Sequence, residues 1–116
     1  MTFAAYEGHP ETIILLLDKG ADVNAKNKKD ATALMYAAQK GHTKTIKLLL
    51  DMGADVHNKD KNGGTALLYA AVNGHTETVT LLLDKGADIH AKNNYGSTAL
   101  MFAAENGHTE TVNLLL

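Results

Sequence analysis

The sequence of 116 residues contains no cysteine, no tryptophan, no arginine and only one proline. Without cysteine, the chain can form no disulfide and offers no thiolate to a metal ion or to a catalytic reaction. Without arginine, it lacks the planar guanidinium group that binds phosphates and base edges bidentately. These absences argue against a disulfide-rich secreted protein, a thiol enzyme and a protein that reads nucleic-acid bases.

Charge and hydropathy patterning exclude further classes of partner. The 11 basic and 13 acidic residues leave a net charge of -2, which gives no long-range attraction to nucleic acid or to an anionic membrane. The sequence has no signal-peptide pattern and no apolar run near the roughly 20 residues of a membrane span. We therefore predict a soluble protein with no nucleic-acid or membrane partner. The compartment is left open, with the cytoplasm as one candidate. A targeting signal upstream in a longer parent protein stays an open alternative.

The dominant feature of the sequence is an internal repeat with a period of 33 residues. Gly-His pairs begin at Gly8, Gly41, Gly74 and Gly107, and each pair precedes a Leu-Leu-Leu segment. Repeats of this length are typical of units that cannot bury an apolar face alone and therefore stack on one another. The period predicts a solenoid whose stability comes from contacts between neighbouring units.

Each unit is predicted to form a loop followed by two antiparallel helices. In the third unit, the turn-forming residues 60–64 precede Thr65, whose hydroxyl is suited to cap the first helix. Gly74 is suited to the left-handed position that ends this helix, and the second helix follows His75. A pair of alanines in every first helix, such as the pair that ends at Ala38, predicts close packing between the first helices of neighbouring units.

The unit resembles the ankyrin repeat in its length and in the order of its motifs. A Thr-Ala-Leu-x-x-Ala-Ala segment begins at Thr32, Thr65 and Thr98, and the Gly-His pair and the Leu-Leu-Leu segment follow it. The resemblance covers essentially the whole chain and implies an all-α, ankyrin-repeat solenoid of stacked antiparallel helix pairs with projecting loops or hairpins. It divides a single array, 1–116, into a partial repeat (1–26), two repeats (27–59 and 60–92) and a repeat lacking its end (93–116).

The sequence departs from the family pattern at three positions of the unit. The substituted residues are Ala33, Ala66 and Ala99 in place of proline, Met35, Leu68 and Met101 in place of histidine, and Asp30 in place of a turn glycine. In the family, that histidine bonds neighbouring loops, so we expect the loops here to be held less firmly. Asp30 is expected to be tolerated because aspartate can visit the left-handed region.

The resemblance implies a protein-binding scaffold whose partner contacts the loop tips and the exposed side of the first helices. The aligned units differ mainly on this surface. The varying positions, which we predict to contact the partner, are Lys28, Lys29, Gln39, Lys40, Lys61, Asn62, Val72, Asn73, Asn94, Tyr95, Ser97, Glu105 and Asn106. Tyr95 is the best candidate anchor because a rigid aromatic ring gives contact area at low entropic cost. The alternative is that exposed positions vary without a function.

Two rows of side chains at repeat spacing allow both a structural and a functional interpretation. Tyr36, Tyr69 and Phe102 occupy one position of the unit, and packing is favoured over a row that stacks on a ligand. The histidines of the Gly-His pairs are expected to cap a helix or to bridge to the next loop. His57 and His90 lie on adjacent units, but two histidines without a third ligand fall short of a zinc site. A metal-responsive module is therefore the weakest hypothesis, and no metal site is predicted.

Catalytic motifs are missing from the sequence. It contains no nucleophile elbow, no phosphate-binding loop and no His-Glu-x-x-His segment. We therefore predict that the chain is not an enzyme and uses no cofactor and no small-molecule substrate.

The two ends of the array lack the polar capping units that solenoids usually carry. We expect exposed apolar end faces formed by Ile13, Leu16 and Leu17 at one end and by Leu114, Leu115 and Leu116 at the other. Either the chain is an excised piece of a longer array or its ends stack head-to-tail on other copies. The alternative function is accordingly a structural or designed consensus scaffold that self-stacks without a dedicated partner. The 16 identical residues among 24 aligned between 60–83 and 93–116 fit either recent duplication or consensus design.

Overall fold

A computed structural model describes residues 1–116 and contains eight α-helices and no β-strand. The helices are α1 (Thr2–Glu7), α2 (Pro10–Asp18), α3 (Ala33–Lys40), α4 (Thr43–Asp51), α5 (Ala66–Val72), α6 (Thr76–Asp84), α7 (Ala99–Glu105) and α8 (Thr109–Leu115). The odd-numbered helices are the first helices of the units and the even-numbered ones the second helices. None of the eight has the length and apolar character that crossing a bilayer requires.

The helices form two layers that run along the stack. Each first helix contacts the first helix of the next unit, from α1 through α3 and α5 to α7, and the second helices contact one another in the same order. The resulting molecule measures 40 × 25 × 22 Å. The prediction of an all-helical array of stacked helix pairs is confirmed.

The first helices begin as the sequence predicts. Thr32, Thr65 and Thr98 have extended backbones, and the side-chain oxygen of each accepts a hydrogen bond from the backbone N–H three residues further on. These bonds measure 3.4, 3.3 and 3.3 Å. Since the first N–H groups of a helix have no partner within the helix, these caps fix where α3, α5 and α7 start.

Small side chains let the first helices approach one another closely. Ala5, Ala38 and Ala71 occupy one position of the unit and are fully buried. Ala104 occupies the same position in α7 but is exposed, because α7 lies at the end of the stack. A cluster of 20 buried residues runs through all four units. It contains the close packing between first helices that the alanine pairs predict, which we call the alanine seam.

The Gly-His pairs join neighbouring units in a way that differs from the prediction. Gly41 has φ 70°, as expected at a helix end, and the imidazole of His75 from the next unit lies against it. His75 Nε2 donates to the backbone oxygen of Gln39 at 3.0 Å, since a carbonyl can only accept. The corresponding histidines of α4 and α8, His42 and His108, make the same bond at 2.9 Å.

The expected role of these histidines is therefore wrong in two respects. No side chain caps α2, α4, α6 or α8. The imidazoles bond to the first helix of the preceding unit and not to the next loop. The physical reason is that the last turn of a helix leaves carbonyl groups without partners inside the helix. An imidazole N–H from the next unit satisfies one of them.

The projecting loops 27–31, 60–64 and 93–97 share one conformation. In the middle loop, Asp60 Oδ1 accepts from the backbone N–H groups of Asn62 and Gly64, both at 2.9 Å. The fourth residue of each loop has a positive φ, which is 60° at Asp30 and 77° at Gly63. The prediction that aspartate replaces glycine in the left-handed region is confirmed.

Neighbouring loops are joined by their backbones. Lys61 N donates to Lys29 O at 3.0 Å, and Asn94 N donates to Asn62 O at 2.9 Å. The loops are thus connected even though the family's bridging histidine is replaced here. The replacements Met35 and Leu68 are buried where their helices meet the loops.

The apolar end faces only partly match the prediction. Leu114 and Leu116 are exposed as expected, Leu16 and Leu17 are half-buried, but Leu115 and Ile13 are buried. The last two were wrongly assigned because they point between the two helix layers and join the core. The end faces also expose four other side chains: Phe3, Ile14, Leu15 and Met101.

Candidate functional site

An open groove runs along the side of the stack where the loops meet the first helices. We call it the loop–helix groove; it is bounded by the loops 27–31, 60–64 and 93–97 and by α1, α3, α5 and α7. Three cavities of about 320, 400 and 280 Å³ follow one another along it. Tyr36 lines the first two cavities, and Asn62 and Tyr69 line the last two. The cavities therefore form one continuous surface.

Helical periodicity explains which side chains face the groove. In α3, Leu34 and Ala38 turn inward and are buried, whereas Tyr36 and Gln39 are half-buried and Lys40 is exposed. Residues three and four apart share one face of a helix. In α3 and α5, half-buried side chains thus line the groove together with the buried Met35 and Leu68.

The thirteen predicted partner-contacting residues are all exposed or half-buried. Six of them line the groove cavities: Lys29, Gln39, Lys61, Asn62, Val72 and Tyr95. The other seven lie in the loops or at the C-terminal ends of the first helices: Lys28, Lys40, Asn73, Asn94, Ser97, Glu105 and Asn106. Tyr95, the predicted anchor, is 82% exposed at the tip of the third loop.

Three asparagines of the predicted set have structural hydrogen bonds. Asn94 Nδ2 donates to Lys61 O at 2.9 Å and helps to join two loops. Asn73 and Asn106 donate to the carbonyl groups four residues earlier in α5 and α7, at 3.0 and 2.9 Å. Their amides stabilise the ends of their helices, so their presence is explained without a partner.

The aromatic row has a larger part in the groove than the sequence indicated. Tyr36 and Tyr69 are half-buried and form the floor between loops and helices. Asn27 Nδ2 donates to the Tyr36 hydroxyl at 2.9 Å, and the Tyr6 ring meets the Tyr36 ring edge-on at 6.0 Å. The two tyrosines therefore pack as predicted and also line the groove. The helical spacing of three residues between Tyr36 and Gln39 was the observation that could have placed Tyr36 in the groove.

The hydroxyl of Tyr69 donates a hydrogen bond to Asp60 Oδ2. Burial, this hydrogen bond and the negative charge of Asp60 together raise the pKa of Tyr69 well above its usual value. Because Asp60 Oδ1 already accepts two backbone bonds, the carboxylate is held by its own loop and helix. The phenol stays neutral and connects the loop to α5.

The remaining histidines do not form a ligand cluster. His57 and His90 are exposed on successive units, and no group of three or more histidine, aspartate or glutamate side chains lies close enough to hold a metal ion. Every buried side-chain nitrogen and oxygen has a hydrogen-bond partner. The groove thus offers lysine ammonium groups, amides and aromatic rings to a ligand.

Comparison with known proteins places the chain in a family. The family model described as ankyrin repeats (3 copies) matches residues 1–93 and 53–116, which together span the chain. A putative ankyrin repeat protein of Acanthamoeba polyphaga mimivirus is 69% identical over 29 residues, which cover 25% of this chain and 18% of the relative. The matched segment is thus a small part of that relative's length. The chain belongs to the ankyrin repeat family.

Proposed function

We propose that the loop–helix groove binds a protein partner. Ankyrin repeats generally mediate protein–protein interactions. The observation that carries the proposal is that the units differ in their exposed loop side chains, while the hydrogen bonds that shape the loops are the same in each unit. Lys29, Asn62 and Tyr95 occupy the same loop position and differ in chemistry. The backbone N–H of each nevertheless donates the same hydrogen bond, to the side-chain Oδ1 of the first residue of its loop. The surface can therefore vary without altering the fold.

This proposal includes three further predictions. They are the predicted contact set, the division of the array at residues 26, 59 and 92, and the absence of enzymatic activity. Within the contact set, the six cavity-lining residues are the ones we expect to contribute most, because their side chains meet at one surface. Tyr95 and Asn62 face the same cavity. An aromatic side chain with an exposed ring beside polar groups is typical of an interaction hot spot.

The groove can be tested without disturbing the fold. The triple variant Lys61→Ala/Asn62→Ala/Tyr95→Ala removes three groove side chains but keeps the backbone bonds of Lys61 N and Asn62 O that join the loops. The matched control is Lys47→Ala/Thr80→Ala/Asn113→Ala, at one exposed position of the second helices. Both variants are expected to keep the helical circular-dichroism spectrum and thermal unfolding midpoint of the wild type.

In a pull-down from the native source, the wild type and the control should retain a protein that the groove variant loses, as measured by quantitative mass spectrometry. If the groove variant retains the same proteins as the wild type, the groove is not the binding surface and the proposal fails.

A second candidate function is self-stacking, which one observation favours. Inside the array, each imidazole of a Gly-His pair rests on the glycine of the unit before it; Gly74, for example, is covered by His108. Gly107, at the same position in the last unit, has nothing within 4 Å, and His9 is exposed at the opposite end. Met101 and Leu116 add exposed apolar surface. One copy could therefore dock its first unit on the last unit of another.

Sedimentation velocity over a range of protein concentrations tests the self-stacking candidate. Head-to-tail docking predicts larger species as concentration rises, and Met101→Glu/Leu116→Glu should abolish them. A wild-type protein that stays monomeric at the highest concentration rejects this candidate and leaves the groove proposal unaffected.

A further inference from the structure

Lysine is distributed very unevenly along the chain. Nine of the 11 lysines lie between residues 19 and 61, where there are five acidic residues, whereas residues 62–116 carry two lysines and five acidic residues. Residues 1–18 carry three acidic residues and no lysine. The small net charge of the chain therefore hides a basic central segment between two acidic ends.

Much of this positive charge faces the loop–helix groove. Lys29 and Lys61 line its central cavity, and their loops are held side by side by the bond from Lys61 N to Lys29 O. Lys28 and Lys40 lie at the adjacent rim and are exposed. Lys40 Nζ lies 4.9 Å from the centre of the Tyr6 ring, an attraction that leaves the ammonium charge available to an anion.

The acidic groups nearest to these lysines offset only part of their charge. Asp60 accepts hydrogen bonds from its own loop and from Tyr69 with both carboxylate oxygens. Asp30 is half-buried at the left-handed position of its loop. The four lysines Lys28, Lys29, Lys40 and Lys61 outnumber these two aspartates, so a net positive formal charge remains at this part of the groove.

The groove cavity next to the third and fourth units differs from the central cavity in its chemistry. The cavity between the third and fourth units is lined mainly by apolar and aromatic side chains, among them Leu68, Tyr69, Val72, Tyr95 and Phe102. No lysine lines it. The groove therefore changes from basic to apolar between these two cavities, which share Asn62 and Tyr69. The cavity at the other end, lined by Thr2, Phe3, Tyr6 and Tyr36, also lacks lysine.

We propose that the groove binds an extended protein segment in which a short acidic block adjoins an apolar block. This inference rests on the proposed function and adds the chemistry of the partner. The acidic block lies over Lys29 and Lys61, and the apolar block lies against Tyr69, Phe102 and Tyr95. A nucleic acid is the other polyanion to consider, but the chain has no arginine and the apolar half offers nothing to a phosphate backbone.

Labelled synthetic peptides provide a direct test by fluorescence anisotropy. The probe carries a block of glutamates followed by Leu-Phe-Leu, and the comparison peptide carries lysines in place of the glutamates. The wild type should bind the acidic probe at least about tenfold more tightly than the lysine peptide, and binding should weaken as salt rises, because exposed charges are screened beyond roughly 8 Å at physiological ionic strength.

A pair of charge-reversal variants separates a specific site from general attraction. Lys29→Glu/Lys61→Glu reverses two groove charges, and Lys44→Glu/Lys47→Glu reverses two exposed charges on α4, outside the groove. The net charge changes equally in both. The groove variant should bind the acidic probe about tenfold more weakly, whereas the α4 variant should change affinity by less than about threefold.

Three results would overturn the inference. They are equal weakening by both variants, equal binding of the acidic and lysine peptides, and binding of single-stranded DNA as tightly as the acidic probe. None of these results decides whether the groove binds proteins at all. That question belongs to the alanine triple variant, so the two proposals can fail separately.

Discussion

At the scale of single residues, the glycine of the Gly-His pair meets two requirements at once. Gly41 ends α3 with φ 70°, and an added Cβ would lie 2.6 Å from His75 Nδ1. A left-handed backbone alone can be adopted by asparagine or aspartate at modest cost. The second requirement, contact with a ring from the next unit, cannot be met by any residue with a side chain.

Alanine substitutions can separate these two requirements. Gly107 has φ 73° but nothing within 4 Å, so Gly107→Ala should cost only the backbone strain, about 1–2 kcal/mol. Gly41→Ala should cost about 1–3 kcal/mol more, because the His75 ring must move. Urea unfolding followed by circular dichroism measures both free energies of unfolding. Equal losses in the two variants would show that the histidine contact contributes nothing.

Tyr69 predicts a dependence of stability on alkaline pH. Its pKa in the folded chain is raised above the value of about 10 for an exposed tyrosine. The neutral phenol is therefore favoured in the folded state. Its contribution to the free energy of unfolding is complete below pH ~10 and is lost as pH rises above that value. Tyr69→Phe should remove this loss along with the bond to Asp60.

The measurement compares the free energies of unfolding of the wild type and Tyr69→Phe at pH ~8 and pH ~11, above the pKa of unfolded tyrosine. The advantage of the wild type should shrink at the higher pH. An advantage that is independent of pH would contradict the assigned environment of Tyr69.

At the scale of the helices, stability comes from packing between units. The helices have six to nine residues, which is too short for stable isolated helices in water. The first helices pack through Ala5, Ala38 and Ala71, and a helix seam built on alanine leaves no room for larger side chains.

The seam predicts a position-dependent effect of one substitution. Ala38→Leu should destabilise the protein by about 1–3 kcal/mol through overpacking between α3 and its neighbours. Ala104→Leu makes the same change at the same position of the unit, where the side chain is exposed, and should alter stability by less than about 0.5 kcal/mol. Thermal and urea unfolding of both variants test this, and a tolerated Ala38→Leu would refute the seam.

At the scale of the whole molecule, the helix contacts follow the order of the units. The contacts join helices of the same or adjacent units, so the end units are covered on one side and the central units on both. Arrays of this kind have stabilities that sum over units and interfaces. The central units should therefore open less often than the end units.

Native-state hydrogen exchange tests this gradient. Amides of α3 and α5 should exchange more slowly than those of α1 and α8, because local opening of an end unit breaks one interface and opening of a central unit breaks two. Uniform protection along all eight helices would indicate that the array unfolds only as a single unit.

Local features of the chain could be predicted because they depend on neighbouring residues. The threonine caps, the left-handed glycines and Asp30 follow from the conformations that these residue types permit near helix ends and turns. Features that depend on the relation between units were harder to predict. The bond from His75 to Gln39 O and the groove position of Tyr36 require knowledge of which face of one unit meets the next.

The sequence by itself determined the period of 33 residues, the two helices of each unit and the positions where they begin and end, because local backbone preferences and apolar periodicity suffice for these. Tertiary structure alone decided that the histidines bond backwards, that Ile13 and Leu115 are buried, and that lysines distant in sequence share one groove. These outcomes depend on the offset between stacked units, which is set by the packing of whole faces and not by any single residue.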